Sequence, residues 1–305
     1  MPRYSNGKGL VSKTSGRKAL GVQVSSSAPT IYYFAFVAHF LYQRARYHFY
    51  YMQYSESLQR FYSGFADKYD LFASWDKRIR REKRFFKYIL DTNRVNTVLD
   101  CFCGTGFHVA MLSEMGYEVE GIDISPDMVH KARENLKSKG LDARVRLGDV
   151  KALDTEKKYD CVLSMGNSLP HEFGDNVYLA LKKMYRALNP GGTCVIHMEN
   201  FDRLYEDGER FLPSVYRHTD DGTDVFIFAV DYYEEKVVFN ILSMIERGGH
   251  PRFDVDVVEY NPIGVERLQR LLSSAGFEDL AFYEDFRMTP LGREGSYDLI
   301  ATAKK

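Results

Sequence analysis

No stretch of this 305-residue chain is apolar for long enough to cross a bilayer. The longest such run, IYYFAFVAHFLY at 31–42, has 12 residues, holds a histidine and is followed by Arg44 and Arg46. A spanning helix needs about 20 apolar residues, so no membrane partner is expected. The run also lies too far in, and lacks a small-residue cleavage site, for a signal peptide. Cysteine is scarce. Cys101, Cys103, Cys161 and Cys194 form no Cys-x-x-Cys pair and no Cys/His zinc spacing, so no metal site is expected and free thiols in a reducing, cytoplasmic setting are. Tryptophan occurs once, against 22 Tyr and 21 Phe. Acidic residues are missing altogether from residues 1–51, which carry seven Lys and Arg; downstream, 34 basic residues face 42 acidic ones, a net charge of −8. An acidic body repels a phosphate backbone, so a nucleic-acid partner is not expected. The Ser- and Arg-bearing leader resembles an organelle transit peptide, and reads equally well as a poorly ordered extension with no role in catalysis. The fold is therefore argued for residues 52–305.

What is present is ordinary for a globular protein: 45% hydrophobic, 27% charged, mean hydropathy −0.36, which excludes collagenous, mucin-like and disordered chains. Residues 56–72 and 76–91 read as helices, the second with Ile79, Phe85, Phe86, Ile89 and Leu90 at helical spacing and Asp76 as its N-cap. Short apolar strands at 97–102, 117–124, 143–149, 159–166 and 193–200 alternate with helices at 107–116, 125–140 and 176–192. Ser125 and Pro126 give the 125–140 helix a cap and a first residue. Strand–helix alternation of this kind specifies an α/β fold, a doubly wound Rossmann-like and mostly parallel sheet. The cofactor-binding core is placed at 92–200. An antiparallel, substrate-covering part is placed at 201–262, with strands over 224–246 joined near Glu234-Glu235. A helix over 265–280 and a strand over 296–305 close the chain.

The chemistry gathers at the strand ends. VLDCFCGTGFHVAML puts Gly104 and Gly106 at the mouth of the sheet, where glycine lets the backbone approach a ligand and where such sheets bind one. A third glycine of a GxGxxG pattern is absent, since His108 and Val109 follow, which disfavours a nicotinamide dinucleotide. The next strand ends in Asp123, 17 residues past Gly106, close to the roughly 20 expected of an acid that grips a ribose diol. Asp149 stands where an adenine edge is read. Asn167 and His171 follow the fourth strand in the run MGNSLPHEF.

These segments resemble class I S-adenosylmethionine-dependent methyltransferases. Within them the chain is most similar to the glycine and glycine/sarcosine N-methyltransferases, through DKYDLFASWDKRIRREKRFF (67–86), CGTGFH (103–108), GNSLPH (166–171), HMENFDRLY (197–205), YNP (260–262) and YEDFR (283–287). The resemblance implies S-adenosylmethionine as cofactor and a small-molecule methyl acceptor, with glycine and sarcosine among the candidates. It implies that Tyr62, Tyr69 and Arg80 come from lid helices, Arg80 facing the methionine carboxylate. Cys103, Gly104 and Gly106 form the turn, Asp123 and Ile124 meet the ribose, and Met128, Asp149 and Val150 surround the adenine. Met165 and His171 close the pocket. Asn167 is the implied catalytic residue, and Glu199 and Tyr260 join it at the acceptor. One departure stands out: Glu199 occupies the place where the family carries an arginine that clamps the acceptor's carboxylate, so that either Arg203, Arg210 or Arg217 reaches in, or the acceptor has no carboxylate there. Another small amine or a hydroxyl as acceptor, an RNA-modifying methyltransferase and a non-catalytic cofactor-binding protein are the competing expectations. Self-association into a homo-oligomer is left open.

Overall fold

The structure, a computed structural model, describes residues 54–292 and 296–305, and the expected extension at 1–51 lies outside these. Two helices come first, α1 (Tyr54–Phe72) and α2 (Trp75–Thr92). In α2 the buried residues Glu82, Phe85, Phe86, Ile89 and Leu90 form one stripe at spacings of three and four, the periodicity of a helix that buries one face. Asp76 does not cap it. Trp75 opens the helix because its indole Nε1 is held 2.9 Å from Asp70 Oδ1 across the kink. Asp76 therefore falls in the first turn, where its charge suits the helix dipole.

The chain then alternates as expected: β1 (Thr97–Asp100), α3 (Phe107–Glu114), β2 (Glu118–Asp123), α4 (Pro126–Ser138), β3 (Arg144–Leu147), β4 (Tyr159–Ser164), α5 (Asn176–Ala187) and β5 (Leu188–Glu199). Ser125 caps α4 by accepting the Met128 N–H, with Pro126 in first position. A short helix α6 (Phe201–Asp207) leads into four strands, β6 (Phe211–Thr219), β7 (Gly222–Tyr232), β8 (Val237–Arg247) and β9 (His250–Tyr260). Helix α7 (Val265–Ala275) and strands β10 (Glu278–Tyr283) and β11 (Asp298–Lys304) complete the order.

The main sheet has seven strands in the order β10-β11-β5-β4-β1-β2-β3. β1 to β5 run parallel, and β11 lies antiparallel between β5 and β10. Successive residues point to opposite faces, so Val98, Cys161 and Leu163 pack with Phe86, Leu112 and Ala132 of α2 to α4, whereas Leu99 and Val162 pack with Phe65, Leu181 and Leu268 of α1, α5 and α7. Both faces are covered, the condition for a parallel sheet. β2 and β4 flank β1 on either side, which puts the topological switch point, and the crevice that goes with it, at the carboxyl end of β1.

The second sheet is a four-stranded meander, β6-β7-β8-β9. Its middle strands turn between Tyr232 and Val237, where the sequence marks the joint, but β6 and β9 give little alternation to read. Phe211 and Tyr216 of β6 are exposed, because an edge strand has only one neighbour to bury against. Two boundaries also differ. The Asn-Pro-Gly-Gly stretch lies inside β5 rather than ending a helix, and the helix read over 265–280 stops at Ala275, where Gly276 takes φ 105°; the rest becomes β10. Helix α1 ties the second sheet to the first: Phe72 packs on Phe226 and Phe228 (5.7 and 5.9 Å between centroids), and Lys68 pairs with Asp256 at 2.8 Å. Among the described residues no helix is long and apolar enough to cross a membrane.

Candidate active site

The turn after β1 opens the crevice. Gly104 and Gly106 adopt φ 53° and 85°, conformations that cost a side-chain-bearing residue free energy. They serve different ends. A Cβ on Gly104 would meet nothing within 4 Å, whereas one on Gly106 would lie 3.0 Å from Ala132 Cβ, so Gly104 faces open space and Gly106 lets α3 pack close to α4. Helix α1 is pinned to this turn through Asp70, which accepts from Thr105 Oγ1 (2.7 Å) and Asn135 Nδ2 (2.9 Å) as well as from Trp75. Asp70 lies inside a quoted segment, but a hub joining three elements leaves no mark in local sequence.

Asp123, at the end of β2, lies against the bend. Its Oδ2 accepts the Gly104 N–H at 2.8 Å and its Oδ1 the Ser125 N–H at 2.9 Å. A carboxylate offers about four lone-pair sites, so each oxygen keeps capacity for a hydroxyl. Burial raises its pKa above the ordinary value, and the backbone donors of Ser125, Gly104 and Ile124 oppose this. Beside it, Ile124 (43% exposed) and Leu147 (55% exposed) leave an apolar shelf at the ends of β2 and β3. Met128 and Val150 are buried beneath. Asp149 accepts from the Lys151 N–H (2.8 Å) and pairs with its Nζ (3.1 Å), which also pairs with Glu172 at 2.6 Å.

On the other side of the bend lies Asp100, which the sequence reading passed over. It is wholly buried, its Oδ2 has no hydrogen-bond partner, and His108 Nδ1 stands 3.9 Å away, too far to serve. Burial, reinforced by the charge of Asp123, pushes its pKa up to about 7. Its Oδ1 accepts the Phe102 N–H at 3.4 Å, so one buried oxygen beside the glycine turn is left with room for a cationic or hydrogen-bond-donating group. The cation of this corner is Arg78, not Arg80. Arg80 is exposed, whereas Arg78 stacks 3.9 Å over the Phe107 ring and reaches Glu82 (3.1 Å) and His108 (3.3 Å). The signal was available: positions 78, 82, 85 and 89 share the buried stripe of α2, and position 80 lies off it. Glu82 is fully buried and binds Arg78, Arg81 (2.9 Å) and His108 (2.9 Å). Burial alone would raise its pKa, yet the His108 hydrogen bond and the Arg78 charge hold it well below the carboxylate range. His108 is itself pushed down to about 4, chiefly by burial.

Beyond the bend, α1, the loop after β4 and the end of β9 come together. Tyr62 Oη lies 2.6 Å from His171 Nε2, and the His171 ring packs 4.7 Å from Tyr260. Burial drops His171 to about 3, so it is neutral at working pH. Burial raises Tyr69 and Tyr260 above the usual phenol value, so both keep their protons. The Tyr69 hydroxyl approaches Gly166, and Met165 is buried at the end of β4. Asn167 takes φ 62°, a strained value that is enriched at functional positions. Its N–H donates to His197 O (3.1 Å) and its Oδ1 accepts the Glu199 N–H (3.0 Å), while its side chain reaches the Tyr260 hydroxyl. Asn167, Glu199 and Tyr260 thus form one group at the ends of β4, β5 and β9. Of the arginines considered near Glu199, Arg203 pairs with Glu206 and Asp207, Arg210 with Asp231, and Arg217 is exposed on β6. Cys103 is buried under the turn with its thiol pKa raised by burial. Among the described residues no group of acids, histidines and cysteines could hold a metal ion.

Residues 98–192 match a family model described as a methyltransferase domain. A glycine/sarcosine N-methyltransferase of Halorhodospira halochloris is 30% identical over 244 residues, 76% of this chain and 84% of that protein. A glycine/sarcosine/dimethylglycine N-methyltransferase of Actinopolyspora halophila is 30% identical over 246 residues, 76% of this chain and 40% of the longer relative. In fold, the chain is similar to an S-adenosylmethionine-dependent methyltransferase from Clostridium acetobutylicum, with a TM-score of 0.68 at 17% identity, covering 80% of this chain and 98% of that one.

Proposed function

From the premise that the chain belongs to the glycine/sarcosine N-methyltransferase family of S-adenosylmethionine-dependent enzymes, we propose that the crevice at the end of β1 binds the cofactor and that Asn167 and Tyr260 hold a small amine at its far end. The observation that carries the reading is the bend itself, with the unpartnered Asp100 Oδ2 on one side and the Asp123 carboxylate beside an apolar shelf on the other. The residues fit each part of the cofactor. Asp123 takes the ribose hydroxyls, Ile124 and Leu147 the faces of the adenine, and Asp149 with Val150 its edge. Asp100 takes the ammonium and Arg78 the carboxylate of the amino-acid tail.

Bound there, the cofactor supplies a methyl group on a sulfonium, already a good leaving group. The protein's work is then alignment and exclusion of water, and orientation supplies about 7–11 kcal/mol. Tyr62, Tyr69 and Tyr260 wall the acceptor end with neutral aromatic faces, which attract a cation. The Asn167 carbonyl has one lone pair left after accepting the Glu199 N–H, which suits it to receive an acceptor N–H and aim the nitrogen lone pair. The neutral His171 holds Tyr62 in place.

The test is a methyl-transfer assay over small amines, read as S-adenosylhomocysteine release and a methyl gain on the acceptor nitrogen. Asn167→Gly, which accepts the positive φ without strain, is expected to lower kcat by about 100-fold, the scale of a misplaced reactant, with affinity for S-adenosylhomocysteine unchanged. An unaltered kcat removes Asn167 from the mechanism.

A further inference from the structure

The acceptor end of the pocket is built around a carboxyl and not around a cation. Glu199, the last residue of β5, is half-buried, and its side chain shares one sheet face with Asp298, its partner across β11. Among the described residues nothing donates a hydrogen bond to the Glu199 carboxyl, whereas its backbone N–H is fixed by Asn167 and its charge is felt by Tyr260. The cation that offsets it, Arg81, is already committed to Glu82 at 2.9 Å and Asp298 at 3.6 Å. Arg78 is bound by Glu82 and His108 and Lys68 by Asp254 and Asp256. Of the described basic side chains, Arg81 is the one whose charge bears on the Glu199 carboxyl.

We infer that the acceptor is a small amine without a carboxylate, whose far end offers a hydrogen-bond donor, a hydroxyl or a second ammonium, to Glu199. The inference rests on the N-methyltransferase reading of the same site and narrows its acceptor. A like-charged group set against ionised Glu199 would be repelled at short range, while Asp298 is already paired with His197 and Arg81; a donor would satisfy a carboxyl to which no described side chain donates. Burial and then the neighbouring Asp298 push Glu199 up to about 8, with Arg81 opposing. A carboxylate-bearing acceptor is met without repulsion only by protonated Glu199, the form that prevails below about pH 8, and its carboxylate gains no cation there. An ammonium acceptor faces no such conflict, because its own charge favours the ionised carboxyl.

The test uses the full chain with S-adenosylmethionine and three acceptors, ethanolamine, 1,3-diaminopropane and glycine, at pH 8, with S-adenosylhomocysteine binding measured in parallel. At least one of the two carboxylate-free amines is expected to exceed glycine in kcat/KM by about tenfold or more, and Glu199→Arg to shift that ratio toward glycine by about tenfold. Should the arginine variant not fold, Glu199→Gln, which removes the charge and keeps the shape, is expected to narrow the ratio by about threefold. Glycine matching or surpassing both amines in the unaltered enzyme, or a ratio indifferent to residue 199, overturns the inference and leaves the methyltransferase site standing. Transfer to none of the three, with cofactor binding intact, overturns the small-amine reading beneath it as well.

Discussion

Replacing Asp100 by asparagine is expected to raise the melting temperature of the ligand-free protein by about 8 °C at pH 8 and to leave it unchanged at pH 4. The sign follows from the shift. Burial raises the folded-state pKa of Asp100 to about 7 from an ordinary value of 3.8. Its protonated form fits the fold, so its contribution is fully present below the unfolded pKa and is lost as the pH climbs through 7. Above that, the native state holds a buried charge with one oxygen unsatisfied, at a cost on the order of 3 kcal/mol. Asparagine is nearly the same shape and cannot ionise, so it removes the cost only where the cost exists. The same change should weaken S-adenosylhomocysteine binding by at least about tenfold, because a charge-assisted bond to the ligand's ammonium becomes a neutral one. Stability gained and binding lost at one atom is the trade expected of a socket kept ready for a ligand. A variant that melts at the parent's temperature at pH 8, or binds the ligand equally well, would show that Asp100 is only part of the core.

The opposite result is expected at Glu82. Alanine there should lower the melting temperature by about 10 °C at neutral pH, from a loss of roughly 3–5 kcal/mol when one member of a buried charge network is removed. Glu82 has no exposure and is bound by Arg78, Arg81 and His108. Without it, Arg78 keeps a largely buried guanidinium with only His108 and the Phe107 face for company. Because interactions hold the Glu82 pKa below its unfolded value, its stabilising share is present above the ordinary carboxylate range and fades as the pH falls. The parent and the variant should therefore converge in acid. A drop of under about 2 °C at neutral pH would class the network with exposed ion pairs, which contribute little.

The parts of this molecule that follow from local physics were legible in its sequence. Apolar strands between amphipathic helices specified the parallel sheet. The Gly-Thr-Gly bend, the acid closing β2 and the Ser-Pro start of α4 all lie where the sequence puts them, at the carboxyl ends of β1 and β2. What stayed hidden depends on contacts between distant segments. β6 is an exposed edge strand and carries no clean alternation, so only its register against β7 defines it. The resemblance implies Arg80, whereas helical spacing puts Arg78 on the buried stripe. Asp70 and Asp100 look like any strand-end or helix-end acids until Thr105, Asn135 and Trp75 are seen around one of them and a buried Oδ2 without a partner on the other. The Glu199 substitution was visible at once, but its meaning depended on where the neighbouring arginines go. Arg203 and Arg210 take carboxylate partners elsewhere, Arg81 pairs with the neighbouring Asp298, and Arg217 is exposed.

Titration calorimetry of S-adenosylhomocysteine against the parent chain and Asp123→Ala, with melting curves confirming that both are folded, probes the ribose grip directly. Saturable one-to-one binding to the parent, weakened by at least about tenfold in the variant, is the expected outcome, since two charge-assisted hydroxyl bonds are lost together. Equal affinity in the two proteins, or no binding to either, would contradict the placement of the nucleoside across the glycine bend.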